Sequence, residues 1–127
     1  MGYRSQVVLA ISKELIPFLM LATSKNKEAE ELVFKYADTF DRNYEGAKSW
    51  PLMWDGIKWY ESYPDIGAIE RFISEAECDE YKITDDDGKE VSSSELIRFV
   101  RVGEESGDVE IRGSGYWDIT PVTYIQY

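Results

Sequence analysis

The residues of this chain that could carry chemistry are mostly carboxylates. Asp85, Asp86 and Asp87 run into Gly88, a pattern that invites a calcium loop. An EF-hand whose acidic triplet ended there would need an acid at position 83 and a bidentate glutamate at position 94, where the chain has Ile83 and Ser94. The run therefore reads as a solvated turn. Glu104 and Glu105 could do acid–base work as a pair, but Gly103 and Gly107 around them point to an exposed turn. Cys78, the single cysteine, sits among Glu77, Asp79 and Glu80, whose negative potential disfavours a reactive thiolate. The sequence contains no histidine, which removes the commonest general base along with Ser-His-Asp and Cys-His arrangements. It also rules out a zinc site of thiolates and imidazoles, and one cysteine cannot make an internal disulfide. Gly113-Ser114-Gly115 lacks the spacing and the lysine of a phosphate-binding loop. No catalytic residue, metal ligand or cofactor site is assigned.

Aromatic residues are the second candidate chemistry. Trp50, Trp54, Trp59, Tyr60 and Tyr63 could stack bases, helped by Lys48 and Lys58, as single-strand binders do. Core packing is the preferred reading, because the basic groove that accompanies such stacking is missing.

Charge gives the third. With 14 bases and 25 acids the net charge is −11, which opposes binding to nucleic-acid phosphates and to anionic membranes. Residues 1–60 carry 8 bases and 8 acids, whereas residues 61–127 carry 6 and 17, so the second half holds the whole excess. Nine of those acids and only two bases, Lys82 and Lys89, lie between positions 75 and 95. A solubilising face is the default account of such a region. The functional account is a surface for a protein partner with a basic patch, built from Glu75, Glu77, Asp79, Glu80, Asp85, Asp86, Asp87 and Glu90, with Glu104, Glu105 and Asp108 of the next turn. Acids spaced on a folded surface can also imitate a phosphate backbone.

These residues must be held by one core, since 127 residues are about one domain's worth. The pattern predicts a buried strand over 6–11, a helix over 13–23 with Ser12 as N-cap and Pro17 just beyond its first turn, and a second helix from Lys27 with Leu32, Val33, Tyr36, Ala37 and Phe40 at helical spacing. Residues 41–47 read as a loop. An aromatic strand follows over 50–60, with Trp50, Leu52, Trp54 and Tyr60 on one face and Met53, Ile57 and Trp59 on the other; Asp55-Gly56 leaves a hairpin turn open as an alternative. Tyr63-Pro64-Asp65 starts a helix whose stripe is Ile66, Ile69, Phe72, Ile73 and Ala76. Residues 81–83 and 90–91 form a hairpin about Asp87-Gly88, and strands follow over 96–102, 108–112 and 119–127.

This order predicts a single α+β domain over residues 1–127, a mostly antiparallel sheet with two or three helices on one face, with room for a ferredoxin-like βαβ core. No stretch is long and apolar enough for a membrane span, and the run 7–11 is too short for a signal peptide. Edge strands near the C-terminus, residues 123–127, offer a route to a homodimer.

Three stretches, MGYRSQV at the start, WDGIKWYESYPDIGAIE in the centre, and FVRVGEESGDVEIRG followed by GYWD, resemble a group of small bacteriophage and prophage proteins that open with MGYRS. Residues 82–94 fall outside that similarity and look like an inserted hairpin. The resemblance implies a phage setting, the cytoplasm of a bacterial host and a small α+β fold, and transfers no functional residue. The expected function is a non-enzymatic protein-binding module, an inhibitor of a basic or nucleic-acid-handling host defence protein. A phage structural or assembly accessory protein is the first alternative, and a carboxylate- and metal-dependent enzyme the second.

Overall fold

Strand β1, Ser5–Ser12, forms where β-branched and aliphatic residues are concentrated, and it lies at the centre of the main sheet. The computed structural model describes residues 2–37, 39–40, 49–105, 107–116 and 119. A single 3₁₀ turn, Lys13–Leu15, leads from β1 into helix α1, Ile16–Ser24. The helix expected over 13–23 is split in this way because Pro17 falls in the first turn of α1, where its missing N–H has no intrahelical partner to lose. Ser12 makes no capping hydrogen bond, and its buried hydroxyl finds no partner among the described residues.

Helix α2, Lys27–Phe34, is capped by the Asn26 side chain, which accepts from the Ala29 N–H at 3.1 Å. It ends earlier than the spacing of Tyr36, Ala37 and Phe40 predicted. Thr39–Phe40 instead forms the short strand β2, whose partners are Met53 and Leu52 of β3, Ser49–Ile57. Pairing with the sheet edge satisfies backbone groups that a longer helix would have bonded internally. The loop expected over 41–47 lies outside the described residues.

Strand β3 is continuous, and Asp55-Gly56 makes no hairpin turn. It ends at Ile57, just after Gly56 at φ +71°. The alternation that put Trp59 on the opposite face from Trp54 therefore does not reach it. Trp59 turns back into the core, its ring 5.5 Å from that of Trp54 and 5.7 Å from Phe99. Helix α3, Pro64–Glu77, forms as its stripe predicts, with Ile66, Ile69, Phe72, Ile73 and Ala76 all buried.

The chain continues through β4, Lys82–Thr84, and β5, Glu90–Ser92, which pair as a separate two-stranded sheet. A 3₁₀ turn, Ser93–Leu96, delivers it to β6, Ile97–Gly103, and then β7, Val109–Arg112. The strand expected over 119–127 lies outside the described residues except for Ile119, whose carbonyl accepts from Arg98 Nε at 3.1 Å.

The main sheet has the order β2-β3-β1-β6-β7, and every described pair is antiparallel. β1 and β2 run parallel with β3 between them, and β3 and β6 run parallel with β1 between them, so the order β2-β3-β1-β6 has the split βαβ topology of a ferredoxin-like core. Helices α1 and α2 connect β1 to β2 at the sheet edge and α3 connects β3 to β6, with the β4–β5 hairpin and β7 added to that core. Register sets Leu9 between Leu52 and Phe99, and Ile11 between Trp50 and Ile97. That face packs against α1, α2 and α3 in one core containing Leu15, Leu19, Val33, Ile69 and Phe72. This is an α+β fold with its helices on one face of an antiparallel sheet. Among the described residues, no helix is long and apolar enough to cross a membrane.

Candidate functional site

The acids singled out by the sequence are divided by the fold between two ends of the sheet. The C-terminal end of α3, the β4–β5 hairpin and the 3₁₀ turn lie where β6 begins at Ile97, and the β6–β7 turn lies where it ends at Gly103. Six residue steps of strand, roughly 20 Å, separate those ends. Glu104, Glu105 and Asp108 therefore do not join the carboxylates of 75–90 in one patch.

At the hairpin end the local structure is set by side chains bonded to backbone. Asp79, in the left-handed region at φ 57°, terminates α3 and accepts from the Ser94 N–H at 2.9 Å. That N–H holds the Asp79 carboxyl below its usual range. Asp85 organises the hairpin turn, one oxygen accepting from the N–H groups of Asp87 and Lys89, both at 2.9 Å. Gly88 supplies φ +80° there. The buried Ser93 hydroxyl donates to the Ala76 carbonyl at 2.6 Å and fastens the hairpin to the end of α3. Tyr81 stacks on Phe18 at 4.5 Å and donates to Glu75 at 2.6 Å. Burial, then that bond to Glu75, pushes its hydroxyl well above the ordinary phenol range. Asp86 reaches across to Lys13 at 2.8 Å.

Glu75, Asp79, Asp85 and Asp86 are thus occupied within the chain. Glu80, Asp87 and Glu90 are exposed and have no side-chain partner among the described residues. Two exposed bases, Lys82 and Lys89, share the hairpin with them.

The other end differs. Arg101 donates to Asp108 at 2.8 and 3.2 Å, to Glu110 at 3.2 Å and to the Ser5 hydroxyl at 3.2 Å. The Tyr3 hydroxyl adds a bond to Asp108 at 2.6 Å, and the Glu105 N–H donates to Tyr3 at 2.9 Å. The Arg101 guanidinium first, and Tyr3 second, lower Asp108 to about 2. Glu104 and Glu105 keep exposed side chains without partners among the described residues.

Between the ends lies a set of residues that the sequence reading did not assign. Glu70 is buried on α3, accepts from Trp59 Nε1 at 2.6 Å and pairs with Arg112 of β7. Arg112 also donates to Ser74 at 2.6 Å and to Glu77 at 3.3 Å. So Glu77, assigned above to the partner surface, is a structural ion-pair member. The signal was legible: Glu70 falls between Ile66, Ile69 and Ile73 on the apolar stripe of α3, where an acid needs a buried partner.

The aromatic cluster is likewise resolved by burial. Trp54 and Trp59 are core residues, Trp54 donating to the Leu32 carbonyl at 2.9 Å. Tyr63 remains exposed, in edge contact with Tyr60 at 5.1 Å. Among the described residues, no group of three or more acids and cysteines is arranged to hold a metal ion. No protein-family model matches this chain, and neither the curated proteins nor the solved structures contain a significant match.

Proposed function

We propose that this protein is a non-enzymatic binding module whose acidic hairpin end docks on a basic surface of a partner protein. The observation that carries the reading is the unequal neutralisation of its acids. Glu80 just before the hairpin and Asp87 and Glu90 on it have no side-chain partner among the described residues. They are a larger free group than Glu104 and Glu105 of the β6–β7 turn, while Asp108, Glu110, Glu70 and Glu77 are tied to Arg101 and Arg112. Unpaired carboxylates on a rigid turn retain a field beyond the surface, which steers a basic partner and makes association salt-sensitive. The partner class is a protein that handles nucleic acid, because a basic channel built for phosphates accepts carboxylates spaced on a folded surface. In the phage setting suggested by the resemblance, such docking would inhibit a host protein.

Capture from bacterial lysate at low and high salt tests this with two charge reversals. The wild-type chain and an E104K/E105K variant are expected to retain the same salt-sensitive partner, and E80K/D87K/E90K to lose it. Equal capture by E80K/D87K/E90K, or no specific capture at either salt, would overturn the reading.

A further inference from the structure

We infer that the outer face of α1 is a second docking surface, one that takes an amphipathic helix of a partner protein whose apolar stripe is flanked by acids. Helix α1, IPFLMLATS, carries no charge on any side. A helix that is apolar all round is normally covered, yet Leu21 is 67% exposed and Met20 47%. They are consecutive residues whose side chains diverge by about 100° around the helix, so together they form a broad apolar ridge with Met20 on the α2 side and Leu21 on the α3 side.

A groove runs along each side of this ridge. Between α1 and α3 it is floored by Phe18, Ala22, Phe72 and Tyr81. Between α1 and α2 it is lined by Met20, Ser24, Phe34 and Glu30. Ridge and grooves are what a packing helix interlocks with.

Charge selects the partner. Lys25 and Arg71 stand at the α1–α3 groove, and neither side chain makes a hydrogen bond or ion pair among the described residues. The one acid there, Glu75, accepts from the Tyr81 hydroxyl at 2.6 Å, which does not neutralise it, so two bases face one acid. The α1–α2 groove carries Glu30, so the acids of the partner fall on the α3 side. A net charge of −11 favours cationic partners over the molecule as a whole, and this groove has the opposite preference. The surface is separate in residues and in sign from the acidic hairpin end.

Three synthetic helical peptides that share one leucine stripe and carry glutamate, glutamine or lysine at the flanking positions test this on the full chain by amide chemical-shift titration. The glutamate peptide is expected to shift Phe18, Leu21, Lys25 and Arg71 saturably, and the lysine peptide to do so about tenfold more weakly. K25E/R71E is expected to reverse that order, and L21E to abolish both. The inference is overturned if no peptide shifts these residues, if the lysine peptide binds there as tightly as the glutamate one, or if the glutamate peptide's shifts are confined to the hairpin. Sedimentation showing a dimer that L21E dissociates would assign the ridge to a second copy and overturn it equally.

Discussion

The β6–β7 strand pair and the β4–β5 hairpin treat the acids near them in opposite ways. Along the β6–β7 pair, Arg101 near the turn and Arg112 opposite Phe99 draw Asp108, Glu110, Glu70 and Glu77 into ion pairs, with arginine side chains only 17% and 15% exposed. At the hairpin, Glu80, Asp87 and Glu90 face solvent, and the pairs present are exposed, like Lys13–Asp86. Sheltered pairs fix geometry at a desolvation cost, whereas exposed charges contribute little to stability and keep their field for other molecules. Acid content alone does not mark a binding surface. Freedom from intramolecular partners is a second requirement, met by Glu80, Asp87 and Glu90 at the hairpin and by Glu104 and Glu105 at the β6–β7 turn, and capture by the two charge reversals tells these groups apart.

The largest effect that could break this comparison lies at Arg112. R112M leaves Glu70 buried with only the Trp59 indole, and should cost about 3 kcal/mol in chemical denaturation. E70Q/R112M, which keeps an acceptor for Trp59 and removes the charge, should recover most of that loss. A cost near zero for R112M would put this network in the same class as the hairpin.

Next, S93A removes the buried bond from Ser93 to the Ala76 carbonyl, with an expected loss of about 1 kcal/mol. Hydrogen exchange should report it as faster opening of β4 and β5 and leave the protection of β1 unchanged.

A smaller effect is expected on pH dependence. Asp108 titrates at about 2 in the folded chain, below its ordinary value, so its stabilisation is present above the ordinary aspartate range and is lost as pH falls through about 2. D108N should flatten this acid limb of the stability profile. An unchanged limb would mean that the Arg101 pair does not hold in solution.

The smallest expected effect is the most informative. E80Q/D87N/E90Q should leave the unfolding midpoint unchanged while reducing partner capture. A marked change in stability would show that these acids serve the fold.

Much of the framework was readable in the sequence. The 3.6-residue period of Ile66, Ile69, Phe72, Ile73 and Ala76 fixes both the existence of α3 and its buried face, because one helix stripe meets one core. Asp87-Gly88 announces a turn, since glycine takes φ +80° without steric cost. Other features misled for equally physical reasons. Tyr36, Ala37 and Phe40 keep helical spacing beyond the point where the chain leaves α2, and Trp59 was placed by an alternation that stops at Ile57. Local pattern gives a period and does not say where that period ends.

What the sequence by itself determined was an α+β domain, a negative second half, and the lack of histidine-based chemistry. Which acids are free was decided only by tertiary structure. Arg112 meets Glu70 and Glu77 across 42 and 35 positions, while Arg101 and Tyr3 meet Asp108 across 7 and 105. Charge counting is blind to such pairings, because they are set by sheet register and by the face α3 presents. Those two factors divided a single acidic half into acids held by Arg101 and Arg112 and acids left exposed at the hairpin and at the β6–β7 turn.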